Sequence, residues 1–173
     1  NVEKDLGMLA ADASNIEKVT AAVKDETKLP VFVKLSPSVT NIKIIAKAAE
    51  WGGADAITAV NTVKAIAIDV NLRRPILSNM SGGLSGPAMK PIALKCVWDV
   101  VQAVNIPVIG CGGITTGRDA VEFILAGATA LEVGTAVMTH GLGVYKEIND
   151  WIASYMTENG FKEVKEMVGL AQE

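Results

Sequence analysis

The chain is 173 residues long, 50% hydrophobic, 5% aromatic and 20% charged, with a formal net charge of −3. These values fit one soluble globular domain and argue against disorder and against a general nucleic-acid binder, which would carry a basic excess. Two cysteines, Cys96 and Cys111, and one histidine, His140, are too few for a disulfide framework or a structural zinc site. The chain opens without a basic-then-apolar leader and holds no apolar run of the roughly 18–20 residues a membrane span requires, so a soluble, reduced, cytoplasmic domain is expected. Its first residue is Asn1 rather than Met, which reads as a processed or partial chain.

From residue 12 to residue 157 short apolar runs alternate with longer helical patterns. Ser14-Asn15-Ile16-Glu17 fits a capping box and predicts a helix starting at Ser14, with Ile16, Val19 and Val23 facing inward. After Leu29-Pro30, the run Val31–Leu35 predicts a buried strand. A second helix is predicted from Asn41 to Gly52-Gly53 with Ile42, Ile45 and Ala49 inward, followed by a strand over Ala56–Val60. Between Thr62 and Lys90 the connection exceeds the usual two to six residues, and Ala65–Val70 with Arg73–Leu77 predict two short strands in a hairpin-like excursion. Pro91 suits the first turn of a third helix that carries Leu94, Val97, Val101 and Val104. A third strand over Ile106–Gly110, a helix over Asp119–Ala126 closed by Gly127, and a strand over Ala130–Val133 come next. The last long helix spans about Val144–Met156, with Val144, Ile148, Trp151, Ile152 and Tyr155 on one face and Gly160 past its end, and a short helix follows near Glu163–Val168.

Strand–helix repeated four times predicts a parallel sheet covered by helices. Gly53-Ala54-Asp55-Ala56-Ile57 and Gly127-Ala128-Thr129-Ala130-Leu131 echo one another, through convergent turn chemistry or through a barrel of repeating βα units. Long loops after strands are where such enzymes keep their chemistry.

The glycines cluster after strands: Cys111-Gly112-Gly113, Gly134-Thr135, and Gly82-Gly83 with Gly86. A glycine lets backbone N–H groups approach a phosphate, and a following helix N-terminus adds a favourable dipole. One such cluster is ordinary turn chemistry; two after consecutive strands late in the chain favour a phosphate site. Lys34 interrupts a strand so apolar that both faces should be covered, which leaves a lysine snorkelling to the rim or a fixed cation facing an anionic group. Asn61-Thr62 form either a polar pair at a site or plain turn residues. His140 reads as a solvated residue of a Gly-rich loop, Cys96 as core packing and Cys111 as a small filler beside the phosphate loop.

Taken in order, Lys34-Leu35-Ser36-Pro37, Val60-Asn61-Thr62, the run Gly82–Leu94, Gly110–Gly113 and Val133-Gly134-Thr135 resemble the dihydroorotate dehydrogenases, closest to the soluble NAD-linked type, over about Leu29–Thr135. The resemblance implies a (β/α)8 TIM barrel carrying FMN that oxidises dihydroorotate to orotate in pyrimidine biosynthesis. It implies that residues 1–173 are the C-terminal half of one FMN-binding barrel domain, covering strands five to eight. By it, Lys34 contacts the flavin pyrimidine edge, backbone groups of Val60 and Gly86 touch the flavin, and Gly112, Gly113, Gly134 and Thr135 bind its phosphate. Asn61 and Thr62 hydrogen-bond the substrate, and Asn1 is a further substrate ligand at the end of a Ser-Cys-Pro-Asn-Val element. The catalytic cysteine then lies two positions before Asn1, the chain begins at a cut just after its base, and the chain alone is expected to be inactive. The implied partners are the upstream half of the barrel, an iron–sulfur/FAD electron-transfer subunit and further copies in a homo-oligomer, with neither nucleic acid nor membrane. The competing readings are a dihydropyrimidine dehydrogenase-like FMN domain, a phosphate-binding barrel isomerase or aldolase, and a non-catalytic half-barrel assembly unit. Arg73–Leu77 and the short loop to Gly82 favour the first family.

Overall fold

In the computed structural model, residues 11–172 are described. The first helix, α1 (Ala13–Glu26), is capped by Asp12, whose carboxylate accepts from the Asn15 N–H at 3.1 Å. The cap expected at Ser14 is thus displaced two residues upstream, because the Asp12 carboxylate already satisfies the third-position amide. Ile16 packs towards the core as expected, but Val19 and Val23 are 55% and 45% exposed. The reason is the partner surface. A Cβ on Gly52 would lie 2.6 Å from the Glu17 carbonyl and 2.7 Å from Thr20 Cβ, so α1 rests on this glycine through Thr20 and turns the two valines outward.

Strand β1 (Phe32–Leu35) follows, then α2 (Ile42–Trp51), where Asn41 Oδ1 accepts from the Lys43 N–H and Ile42, Ile45 and Ala49 are buried as expected. Strand β2 (Ala56–Ala59) leads into the long excursion. There β3 (Val63–Ala65) pairs antiparallel with β6 (Gly82–Leu84), and β4 (Ile68–Asp69) with β5 (Arg74–Pro75), so the expected hairpin sits inside a second ladder. After a 3₁₀ turn at Pro87–Met89, α3 (Lys90–Val101) carries Pro91 in its first turn and buries Ala93, Val97 and Val100. Strand β7 (Val108–Cys111) precedes α4 (Gly117–Leu125), which starts earlier than expected because Thr116 and Asp119 form a capping box. Strand β8 (Ala130–Glu132) is followed by a short helix the sequence did not reveal, α5 (Ala136–His140), and by α6 (Val144–Asn159), closed by Gly160 in the left-handed region at φ 77°. His140 therefore ends a helix rather than lying in a loop. The short helix expected near Glu163–Val168 is a 3₁₀ turn over Val164–Glu166.

The four long strands form one parallel sheet in the order β1-β2-β7-β8. Strand alternation gives its two faces different chemistry. Leu35, Ile57, Ala59 and Val108 join Ala46, Ala93, Val97 and Phe123 in the core beneath the helices. The opposite face carries Phe32, Lys34, Thr58, Ile109, Cys111 and Glu132, and Phe32 is 58% exposed. The expectation that β1 is covered on both faces is thus corrected. Among the described residues it is an edge strand, and its second face lies open.

Candidate active site

Parallel strands deliver their C-terminal ends to one side of the sheet, and the loops that follow line a cleft of about 170 Å³. Lys34, Val60, Asn61, Thr62, Gly86, Gly112, Gly113, Gly134 and Thr135, singled out in the sequence, all line it. Asn1 lies outside the described residues. A larger apolar recess of about 400 Å³, between α4, β8 and α6, holds none of them.

Backbone bonds hold the rim. The Val60 N–H donates to the Cys111 carbonyl and the Asn61 N–H to the Leu35 carbonyl, both at 2.8 Å, which ties the loop after β2 to its neighbours. Asn61 Oδ1 accepts from the Thr62 N–H at 2.9 Å, so its side chain also shapes the turn. The loop after β7 is clamped from below by Asp119. That carboxylate accepts from the Thr115 N–H at 3.0 Å, the Thr115 hydroxyl at 2.9 Å, the Thr116 N–H at 2.9 Å and Lys90 Nζ at 2.8 Å. Burial raises its pKa, but the bonds from Lys90 and Thr115 outweigh it and hold the carboxyl well below the usual range.

Glycine is required where this loop meets its neighbour. Gly113 has φ +77°, and a Cβ there would lie 2.5 Å from the Lys90 nitrogen and 2.9 Å from the Gly86 carbonyl. The loops of Gly86 and Gly113 therefore meet backbone to backbone. Thr135 Cγ2 comes within 3.6 Å of a Cβ position on Gly86, whereas nothing lies within 4 Å of one on Gly134. Two glycine loops line the same cleft, and at Gly134 the main chain is open to it with nothing within 4 Å of a Cβ position. That is what a phosphate group needs in order to reach backbone donors.

The cation sits in the same cleft. Lys34 Nζ donates to Glu132 Oε2 at 2.7 Å and lies 3.2 Å from Cys111 Sγ, while the Thr58 hydroxyl donates to Glu132 Oε1 at 2.9 Å. Partial burial works against the lysine's charge, yet the bonds to Glu132 and Cys111 prevail and its pKa rises. Glu132 is lowered on balance, since the bonds from Lys34 and Thr58 exceed the cost of burial. Burial pushes the Cys111 thiol up, so it stays protonated and fills space beside the loop. His140 lies outside the cleft, its Nδ1 2.8 Å from the Thr139 hydroxyl.

Glu132 and Thr58 escaped the sequence reading. The signal for Glu132 was the one that marked Lys34: a lone charged residue in an apolar strand, Ala130-Leu131-Glu132-Val133. Its register partner is Cys111, which puts it on the open face beside the lysine.

Four parallel βα units, with a lysine and two glycine loops at the strand ends, form an α/β fold that corresponds to a half-barrel portion of a (β/α)8 fold. The dihydroorotate dehydrogenase family model matches residues 1–156, and the chain belongs to that family, which is flavin-dependent. It is 54% identical over 169 residues to dihydroorotate dehydrogenase B (NAD(+)), catalytic subunit, of Pyrococcus horikoshii, covering 97% of this chain and 56% of that one. It is 53% identical over 171 residues to the protein of the same name from Thermococcus kodakarensis, covering 98% and 57%. The crystal structure of DHODH from Eimeria tenella in complex with ferulenol superposes with a TM-score of 0.82 at 28% identity, over 98% of this chain and 51% of that one. The chain spans about half the length of the curated relatives it matches. Among the described residues, no helix is long and apolar enough to cross a membrane.

Proposed function

We propose that residues 1–173 are the C-terminal half of a single FMN-binding barrel domain, and that the complete protein oxidises dihydroorotate to orotate in pyrimidine biosynthesis. The observation that carries this reading is the joining, in one cleft, of a lysine ammonium and two glycine loops, Gly112-Gly113 and Gly134. These residues fit FMN, which supplies the hydride acceptor when bound. Gly112, Gly113, Gly134 and Thr135 hold its phosphate through main-chain donors, with the Asp119 clamp keeping the first loop in shape. Val60 and Gly86 present backbone to the ring system. Lys34 faces the pyrimidine edge, where a fixed cation favours negative charge. Asn61 and Thr62, which line the cleft, orient the substrate. The relatives are named as catalytic subunits, which supports an electron-transfer partner subunit, taken here as the iron–sulfur/FAD type, and the open sheet face fits the other half of the barrel.

Titrating FMN into the chain tests the reading. Bound flavin with a perturbed visible spectrum is expected, together with loss of binding in Gly113→Val. Flavin that stays free in both proteins would refute it.

A further inference from the structure

Glu132 is a half-exposed carboxylate held in one position by the groups around it. It interrupts an apolar strand and stands on the open face of the sheet. Both its oxygens are engaged, Oε2 by Lys34 Nζ at 2.7 Å and Oε1 by the Thr58 hydroxyl at 2.9 Å. Thr58 is only 3% exposed and comes from the strand between those of Lys34 and Cys111, so the carboxylate is held from the sheet itself. Lys34 would otherwise be a long, freely rotating side chain; with Glu132 it is anchored with its ammonium in the cleft.

We propose that Glu132 is a positioning residue that fixes the Lys34 ammonium and offsets its charge, and so sets the reduction potential of the bound flavin. The inference rests on the flavin reading given above. Two electrons and one proton entering the flavin leave one negative charge at its pyrimidine edge. A bare lysine there would stabilise that charge strongly and hold the electrons. A lysine already paired with a carboxylate offers less net positive charge and lets the electrons pass on to an acceptor. An ion pair that served stability alone would contribute little, because solvent screens exposed pairs and each of these side chains is 42% exposed.

The test compares the FMN-loaded wild-type chain with Glu132→Gln, Glu132→Met and Glu132→Asp by dithionite titration against an indicator dye. The two neutral variants should bind reduced over oxidised flavin about tenfold more favourably than wild type, an upward shift of about 30 mV for a two-electron couple. Glu132→Asp keeps the charge and should stay near the wild-type potential. Loaded wild type with neutral variants whose potentials are unmoved or lower would overturn the role of Glu132 while leaving the flavin reading intact. Equal shifts in all three variants would overturn it too, by revealing a merely structural effect. A wild-type chain that takes up no FMN would overturn the flavin reading and this inference with it.

Discussion

Asp119 shows how much one side chain can do for a loop. Its carboxylate accepts two backbone N–H groups, a hydroxyl and the Lys90 ammonium, and its side chain is 12% exposed. Because its folded pKa is depressed, its stabilisation is complete above the unfolded value of about 3.9 and is lost as pH falls towards the folded value. Asp119→Asn should therefore lower stability by about 2 kcal/mol at neutral pH. It should also flatten the decline of stability below about pH 4, since the titrating group is gone. Urea midpoints measured across that range check both effects. Gly113 is the complementary case, because there a side chain must be absent. Its φ of +77° and the 2.5 Å approach of the Lys90 nitrogen leave no place for a branched Cβ. Gly113→Val should cost about 1–3 kcal/mol of backbone strain. It should lower FMN affinity more than tenfold as the loop swings away from the phosphate, as read by flavin fluorescence recovery and a parallel urea melt.

At the scale of elements, the close approach of α4 and α6 depends on Gly117. A Cβ there would overlap the β- and γ-carbons of Trp151, so the helices meet with main chain against side chain. Gly117→Ala should push α6 outward and destabilise the chain by about 1–3 kcal/mol, with a shift in tryptophan emission. An unchanged melt would show that α6 slides freely on α4. Which elements the sequence disclosed follows from the same packing. Helix α2 was legible from its start at Asn41 because Ile42, Ile45 and Ala49 face one core, and local periodicity and tertiary burial agree. Helix α1 was legible as a helix, but its inner face was not. Ile16, Val19 and Val23 are spaced as a stripe, yet the surface it meets is Gly52, more than 25 residues on, and that contact selects Thr20. Five-residue α5 is too short to show a period at all. The candidate site was half legible. Its glycine loops and lysine carry distinctive types at distinctive places, whereas Glu132 and Thr58 matter only through the register that sets them beside Lys34.

At the scale of the whole molecule, the decisive feature is a parallel sheet that, among the described residues, has helices on one face only. Parallel sheets are stable when both faces are covered, and a barrel achieves this by closing on itself with side chains stacked inside. Here the second face exposes Phe32, and among the described residues β1 and β8 each have one neighbour in the sheet. The apolar load outside the core is large. Val19 and Val23 lie on α1, Leu29 is 71% exposed before β1, and Ile66, Ile68, Val70, Leu72 and Ile76 are exposed along the excursion. Near β8 the recess lined by Leu131, Ile152 and Met156 adds an apolar concavity. Unpaired strand edges template further pairing, and patches of this kind drive association. The chain alone should therefore sediment at micromolar concentration as a species larger than one 173-residue chain. Replacing Phe32 by Lys on the open face should shift the distribution towards monomer without disturbing the helices on the other side, as far-UV circular dichroism would show. A wild-type chain that stays monomeric at that concentration and melts in one cooperative transition would mean that four βα units hold together without a second covering layer. The open face would then be a tolerated surface, and association would have to be sought along the excursion instead.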